Sequence, residues 1–491
     1  MRQFLFLLMM LACSVPRGMA QHFTWNAEAR EAYALVLDLR FQKADSVLTL
    51  LEKRDANNLC APYLRDLTDF LYIVVQEDEQ AYVQRSKLKD KRLAAFERAA
   101  HNDPFKNIAL GETHLHWAFA DMRFGNYFSG AMGIRKAFKL LEENTQRFPN
   151  FIQTYKSMGL LHTLVGTVPD NYRWAAKMMG VDGTIPQGIA EMQRVIKGNS
   201  GRLEFIHVQK ETLFLFTFLQ LNLVNDIEAV RSVQKHLDRH SGPLMDFAKA
   251  RVLQRTGDTD AAIDLLARSV AKRPNAFPYL QFLLGDMKLA RLDVDADRLF
   301  LTYLKIFKGK SYLKAAQQKL GWYALLVNND KDGYIEHLAA VKTVGSTAVD
   351  EDKAAQKEAE SGIVPNRTLL SARLMFDGGY HARALKELED APSAKFVSVE
   401  EKLERQYRLG RIHHEMGNHQ KAVDAYRATM RDGASSTRYF AANAALQLGL
   451  LYEQLGEKEK AREAFASCST FKNTEYRDSI NQKAKAGLNR L

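Results

Sequence analysis

The sequence predicts an all-α fold, a solenoid of helical hairpins with a divergent, expanded N-terminal half. Three observations carry this. The 491 residues include only 11 prolines, so long stretches run without the residue that breaks a helix. The chain is 46% hydrophobic and 26% charged, which supplies a packed core and excludes disordered, collagenous and disulfide-stapled classes. Small residues recur at fixed spacings around glycine turns, the mark of a repeat array.

Taken in chain order, residues 1–20 form a leader. Arg2 supplies positive charge, residues 4–12 a short apolar run, Pro16 and Arg17 end it, and Gly18-Met19-Ala20 sets small residues where a signal peptidase reads. Cleavage before Gln21 is expected. An uncleaved membrane anchor needs ~20 apolar residues, about twice this run. The stretch Met10-Leu11-Ala12-Cys13 offers a lipoprotein anchored through Cys13 as the alternative. Both routes export the chain, to the periplasm or cell envelope of a Gram-negative bacterium. The remaining cysteines, Cys60 and Cys468, lie near opposite ends of a solenoid, so no disulfide is expected.

Residues 21–240 read as the divergent helical-repeat region. Ala32, Ala44, Leu48 and Leu51 begin it with a weak hairpin. Helical patterning then continues through 61–75, 80–100 and 105–124 to the turn Gly125-Asn126-Tyr127, without a regular period. From Gly125 to Pro149 is seven residues longer than from Gly257 to Pro274, which is two extra helical turns. Residues 213–224 are almost wholly apolar, yet they contain Thr217, Gln220 and Asn222 and are too short to span a bilayer; a buried helix is expected.

Residues 241–346 carry the clearest repeat. Ala250, Leu253, Gly257, Ala262, Leu266 and Pro274 are spaced 3, 4, 5, 4 and 8 apart. Gly257-Asp258 closes one helix, Ala250 and Ala262 let two axes approach, the leucines fill the groove and Pro274 stops the second helix. The charged run 350–360, ending in Gly362 and Pro365, reads as an exposed connecting helix within a linker, 347–365, and marks a domain boundary. Residues 366–491 repeat the grammar with Ala372, Met375, Gly379, Ala384 and Leu388; with Gly410, His413, Gly417, Ala422 and Tyr426; and with Gly449, Tyr452, Gly456, Ala461 and Phe465. Gly410 and Gly449 are 39 apart against a period of ~34, and the loop 432–436 absorbs the surplus. Residues 477–490 suit a solubilising cap.

These units resemble tetratricopeptide repeats. Residues 159–192 resemble something narrower: Thr167-Val168-Pro169, a helix through Trp174 and Met178, the turn Gly180-Val181-Asp182-Gly183, then Gly188-Ile189. The pattern is similar to the fungal mitochondrial outer-membrane inclusion-clearance family and its animal tetratricopeptide relatives, over residues 100–491. It departs at Thr167, where that family tends to have Ser, and at the leader. The resemblance implies a helical fold and a non-enzymatic character.

Motifs for catalysis are absent. His414 and His419 are five apart rather than four, and Gly417-Asn418 turns the chain between them, so no zinc-protease face forms. His114 and His116 point to different sides of a helix, so Glu112, His114 and His116 read as polar surface plus one packed ring. No phosphate-binding Gly-Lys-Ser/Thr loop or Gly-x-Ser-x-Gly elbow occurs. No cofactor, metal or nucleic acid is expected. The leader-free charge of +9 suits anionic lipid, polysaccharide or an acidic protein surface, while the basic stretches 85–92 and 305–314 read as solvated helix faces.

The expected function is an exported, non-catalytic scaffold for a protein partner. Peripheral membrane association is compatible with it, and no transmembrane helix is expected in the mature chain. A lipid- or envelope-associated module enclosing an apolar ligand in the divergent half is the alternative, and a hydrolase a distant third. A basic groove with partly exposed aromatics fits the first, a closed apolar cavity beneath 159–190 the second, and three convergent His or carboxylate ligands the third. The segment 167–188, with Tyr172 and Trp174, is expected to pack inside or across the solenoid, or to serve as a lid or partner contact.

Overall fold

The computed structural model describes residues 21–169, 173–198, 205–224 and 226–491, except the side chain of Ala175. The leader and Tyr172 lie outside the described residues. The chain is 75% helical, with no strand among the described residues and only two isolated bridges, Gln21 to Ala99 and His22 to Asn58. It is an all-α helical-repeat solenoid. Two compact units divide it: the chain up to Thr256 with Asp264–Leu280 and Ile306–Gly309, and Gly257–Ile263 with Gln281–Lys305 and Lys310–Leu491. This division lies in residues 256–310.

In the first unit Asn26 caps Ala27–Leu37 by accepting from the Ala29 amide, and that helix pairs with Phe41–Arg54, burying Ala32, Ala44, Leu48 and Leu51. The central hairpin joins Pro104–Arg123 to Tyr127–Arg147; the latter has 21 residues where Thr259–Lys272 has 14, the seven-residue expansion read from the glycine-to-proline spacing. Glycines bring its axes together: a Cβ on Gly133 would lie 2.9 Å from the Ala118 Cβ. Thr154–Gly166 crosses Ile185–Gly198 at Gly159 and Gly188, where an added Cβ on Gly188 would stand 2.3 Å from the Gly159 carbonyl oxygen. The glycines of the 159–192 pattern are therefore a helix crossing.

Charged groups fill part of this core. Glu112 accepts from the Tyr63 hydroxyl, Ser157 Oγ (2.5 Å) and Lys156 Nζ (3.1 Å), and Lys156 also pairs with Glu211 at 2.9 Å. The Tyr33 hydroxyl donates to Glu211. Beside them Asp66 takes His116 Nδ1 and Trp117 Nε1, each at 2.9 Å, and Arg92 at 3.2 Å, and Asp69 binds Arg92 and Arg85. Two expectations are corrected here. Glu112 is core rather than surface, while His116 is the packed ring of that set, and Arg85 and Arg92 turn inward to the half-buried Asp69, Arg92 also to the buried Asp66. Residues 213–224 are also only partly interior. Ile206–Leu219 passes into a π turn, Gln220–Val224, and leaves Phe218 and Leu223 exposed.

In the second unit helical hairpins follow one another: Leu313–Leu326 with Lys331–Val341, Arg367–Asp377 with His381–Glu389, Val399–Glu415 with His419–Asp432, and Phe440–Gln454 with Lys458–Ser467. Ser398 and Glu401 form a reciprocal capping box at the start of the third. Gly417 and Gly456 hold φ of +74° and +77° at the turns, where a side chain would be strained. The run Asp350–Ser361 is a packed helix, which corrects its reading as an exposed linker. Asp352, Ala355 and Ala359 are buried, Asp352 accepts from the Tyr312 and Ala315 amides, and Glu358 accepts from Gln318, Trp322 and Tyr334. Arg477–Arg490 closes the stack, its Gly487 against the Phe465 ring.

Candidate protein-binding groove

The residues singled out for repeat packing fall into three settings. Ala250, Ala262, Ala384, Ala422 and Ala461 are fully buried. Gly410 and Gly449 face aromatic rings: an added Cβ would come within 2.7 Å of Tyr426 Cδ1 and 2.5 Å of Phe465 Cδ1. Gly257, Gly417 and Gly456 sit in left-handed turns with open space around them, and Pro274 is exposed just past the helix Thr259–Lys272. Leucine at Ala262, Ala422 or Ala461 is expected to overpack the helix contact and lower stability by ~1–3 kcal/mol, read from the denaturation midpoint.

Trp174 is 62% exposed and Met178 76% exposed, one turn apart on Arg173–Met178, so of the two readings left open for Trp174 the geometry favours a surface contact over a core ring. Val181 is buried, and Ala176 and Met179 lean on the core, so the segment is anchored along one side. Trp174→Ala is therefore expected to shift stability by no more than about 0.5 kcal/mol. A loss of several kcal/mol in thermal or urea unfolding would place the ring in the core after all.

A cavity of about 210 Å³ opens on the second unit, lined by Arg373, Phe376, Asp377, Tyr407, Arg408, Arg411, Tyr439 and Asn443. They belong to the first helix of three successive hairpins, or to the residue just before it for Tyr439. Arg373 and Arg411 are 38 residues apart, each one position after the small residue, Ala372 or Gly410, of its repeat. The same register in consecutive hairpins places both guanidinium groups on one face.

Aromatic rings set their orientation. The Arg411 guanidinium carbon stands 5.0 Å from the Phe376 ring centre, and that of Arg373 4.7 Å from Trp322. Arg411 donates to the Tyr407 hydroxyl at 3.1 Å, and Asn443 Nδ2 donates to the same oxygen at 2.8 Å. Arg408 is already neutralised by Glu404. Burial pushes the Asp377 carboxyl up, while Arg373, Arg408, Lys319 and Arg411 pull it down. A larger recess of about 480 Å³, lined by Arg367, Glu387 and Lys395 among others, carries both signs of charge, and its Arg367 is held by Asn329 and the Leu326 carbonyl.

The histidine-rich stretch behaves as repeat structure. His413 is buried beside Asn418, and His414 shares a 3.2 Å hydrogen bond with Tyr426. Among the described residues no three His, Cys, Asp or Glu side chains converge to hold a metal. No described helix is long and apolar enough to cross a membrane.

Residues 403–428 and 442–474 match the Tetratricopeptide repeat family, and these stretches cover most of the last two hairpins. No curated protein matches the chain. Among solved structures it is similar to the crystallised TPR domain of P58(IPK), at 14% identity over 85% of this chain and 98% of that one, with a TM-score of 0.23. Neither match names the inclusion-clearance family that residues 159–192 resemble. The repeat match is thus confined to the C-terminal hairpins.

Proposed function

We propose that the protein is an exported, non-catalytic scaffold that binds a protein partner in the cell envelope through the cavity on its C-terminal hairpins. The observation that carries this is the cavity itself: basic, partly aromatic, and built from equivalent positions of consecutive repeats, whose aligned first helices offer an extended binding surface. The leader supports export; a mature N-terminus at Gln21, found in the periplasmic fraction, tests it.

A photo-crosslinking residue at Tyr439, on the cavity wall, tests the groove. Crosslinks to another protein in intact envelopes are expected there and not from exposed Val83 in the first unit. Crosslinking from neither position, or equally from both, overturns the reading. A second reading, envelope association through the divergent half, rests on exposed Trp174 and Met178 beside Arg173 and Lys177. Flotation with phosphatidylglycerol vesicles, lost on Trp174→Ala, would favour it.

A further inference from the structure

We infer that the larger recess of the second unit binds a small zwitterion, an amino acid or dipeptide carrying both a free ammonium and a free carboxylate. The recess holds about 480 Å³, within the ~300–1,000 Å³ of sites that enclose small molecules. It shares no lining residue with the groove at Tyr439. It is lined by the start of Arg367–Asp377, by Glu387 on the following helix and by Lys395 in the turn beyond, with Leu292 and Leu326 as apolar walls.

Four polar groups of this lining have no partner among the described residues. Thr368 and Ser371 are 6% and 5% exposed and one turn apart on the same helix face, yet neither hydroxyl hydrogen-bonds to another described residue. Glu387 and Lys395 make no ion pair with each other or with any described residue. Opposite charges that line one cavity without reaching each other are complemented by a molecule that bridges them. The carboxylate of a zwitterion suits Lys395 and the two hydroxyls, which donate. Its ammonium suits the Glu387 carboxylate, which only accepts.

The frame around these groups is held in place. Asn366 Oδ1 accepts from the Thr368 and Leu369 amides, while its Nδ2 donates to the Lys395 carbonyl at 2.8 Å and ties the lysine's turn to the helix start. Arg367 is pinned by Asn329 and the Leu326 carbonyl. The turns that reach the recess also depart from the repeat. Gly257, Gly379, Gly417 and Gly456 take the left-handed position between the helices of their hairpins, but Leu292 and Asn329 take it beside the recess, at φ of +63° and +55°. A leucine is strained in that conformation, and strain of this kind gathers at ligand sites. Here it sets an apolar side chain on the cavity, where the body of a small ligand can pack.

The test is isothermal titration calorimetry of the full chain with the dipeptide Leu-Leu. Controls are its N-acetylated form, its C-terminal amide, free leucine and the neutral disaccharide maltose. Leu-Leu is expected to bind with a millimolar or tighter Kd, and each capped form at least about tenfold more weakly, because each has lost one charged end. Glu387→Gln and Lys395→Gln remove the two opposite charges of the recess. Each is expected to weaken Leu-Leu about tenfold with unchanged melting, so one suffices if the other fails to fold.

Free leucine binding as tightly as the dipeptide also supports the inference and makes a single amino acid the ligand. The inference is overturned if Leu-Leu shows no saturable binding up to about 10 mM. It is equally overturned if either capped form or maltose binds as tightly as Leu-Leu, or if a folded variant at Glu387 or Lys395 binds as wild type. The recess and the groove are separate, so crosslinking from Tyr439 is expected whichever way this titration falls.

Discussion

Phe465→Ala is expected to destabilise the C-terminal repeats by ~3–5 kcal/mol, the range for a large aromatic removed from a packed core. The ring is 1% exposed and lies between two glycines: Cβ atoms built on Gly449 and Gly487 would come within 2.5 and 2.6 Å of opposite edges. Neither neighbour has a side chain with which to fill the hole, so collapse around it is limited. The converse substitution, Gly449→Ala, forces a methyl into the ring and should also destabilise, by ~1–3 kcal/mol. Differential scanning calorimetry of both variants checks this; a shift under about 1 kcal/mol for Phe465→Ala means the ring is not the keystone of the last hairpin.

Lys156→Met is expected to cost ~3–5 kcal/mol in the first unit, because it strands Glu112 and Glu211 without their shared cation. The pH dependence separates this from simple loss of packing. In the wild type, Lys156 beside Glu112 holds that buried carboxyl below its ordinary value against the opposing effect of burial. The contribution of Glu112 is thus present above its unfolded pKa of ~4.3 and is lost as pH falls through the lower folded value. Lys156 itself is raised by Glu112 and Glu211 against the depressing effect of burial. Its contribution is complete below ~10.4 and is lost as pH rises through the folded value.

In Lys156→Met the sign for Glu112 reverses. Desolvation without the cation raises its folded pKa above the unfolded one, so the variant should gain stability as pH drops from 7 toward 5. Parallel wild-type and variant melting curves across that range would show that the network does not couple as its geometry indicates.

What the sequence made legible was local. Glycine turns and alanine contacts lie within about forty residues of their partners, so spacing alone located the last three hairpins and the expanded Tyr127–Arg147 helix. The charged run 350–361 misled because composition records the exposed face; Asp352, Ala355 and Ala359 form a buried face only because Tyr312 and Ala315 present amides to the carboxylate. Glu112 looked like surface for a similar reason, its partners Tyr63 and Lys156 being 49 and 44 residues away. The cavity left no local run of basic residues. Its one readable signal was Arg373 and Arg411 in equivalent positions, which emerges only when whole repeats are aligned.

The ties that close the first unit carry a kinetic consequence. Lys210 reaches Asp38 across 172 residues, Tyr33 reaches Glu211 across 178, and Lys308 reaches Asp78 across 230. In the second unit Asn443 reaches Tyr407 across 36 and Arg490 reaches Glu453 across 37. Contacts between distant residues demand loop closure before they repay it, and rates fall as that separation grows. The beginning of the chain is therefore made first and completed late, its earliest helices waiting on residues near 210 and 308. The C-terminal hairpins need only their own neighbours, so the last part synthesised is the first able to close.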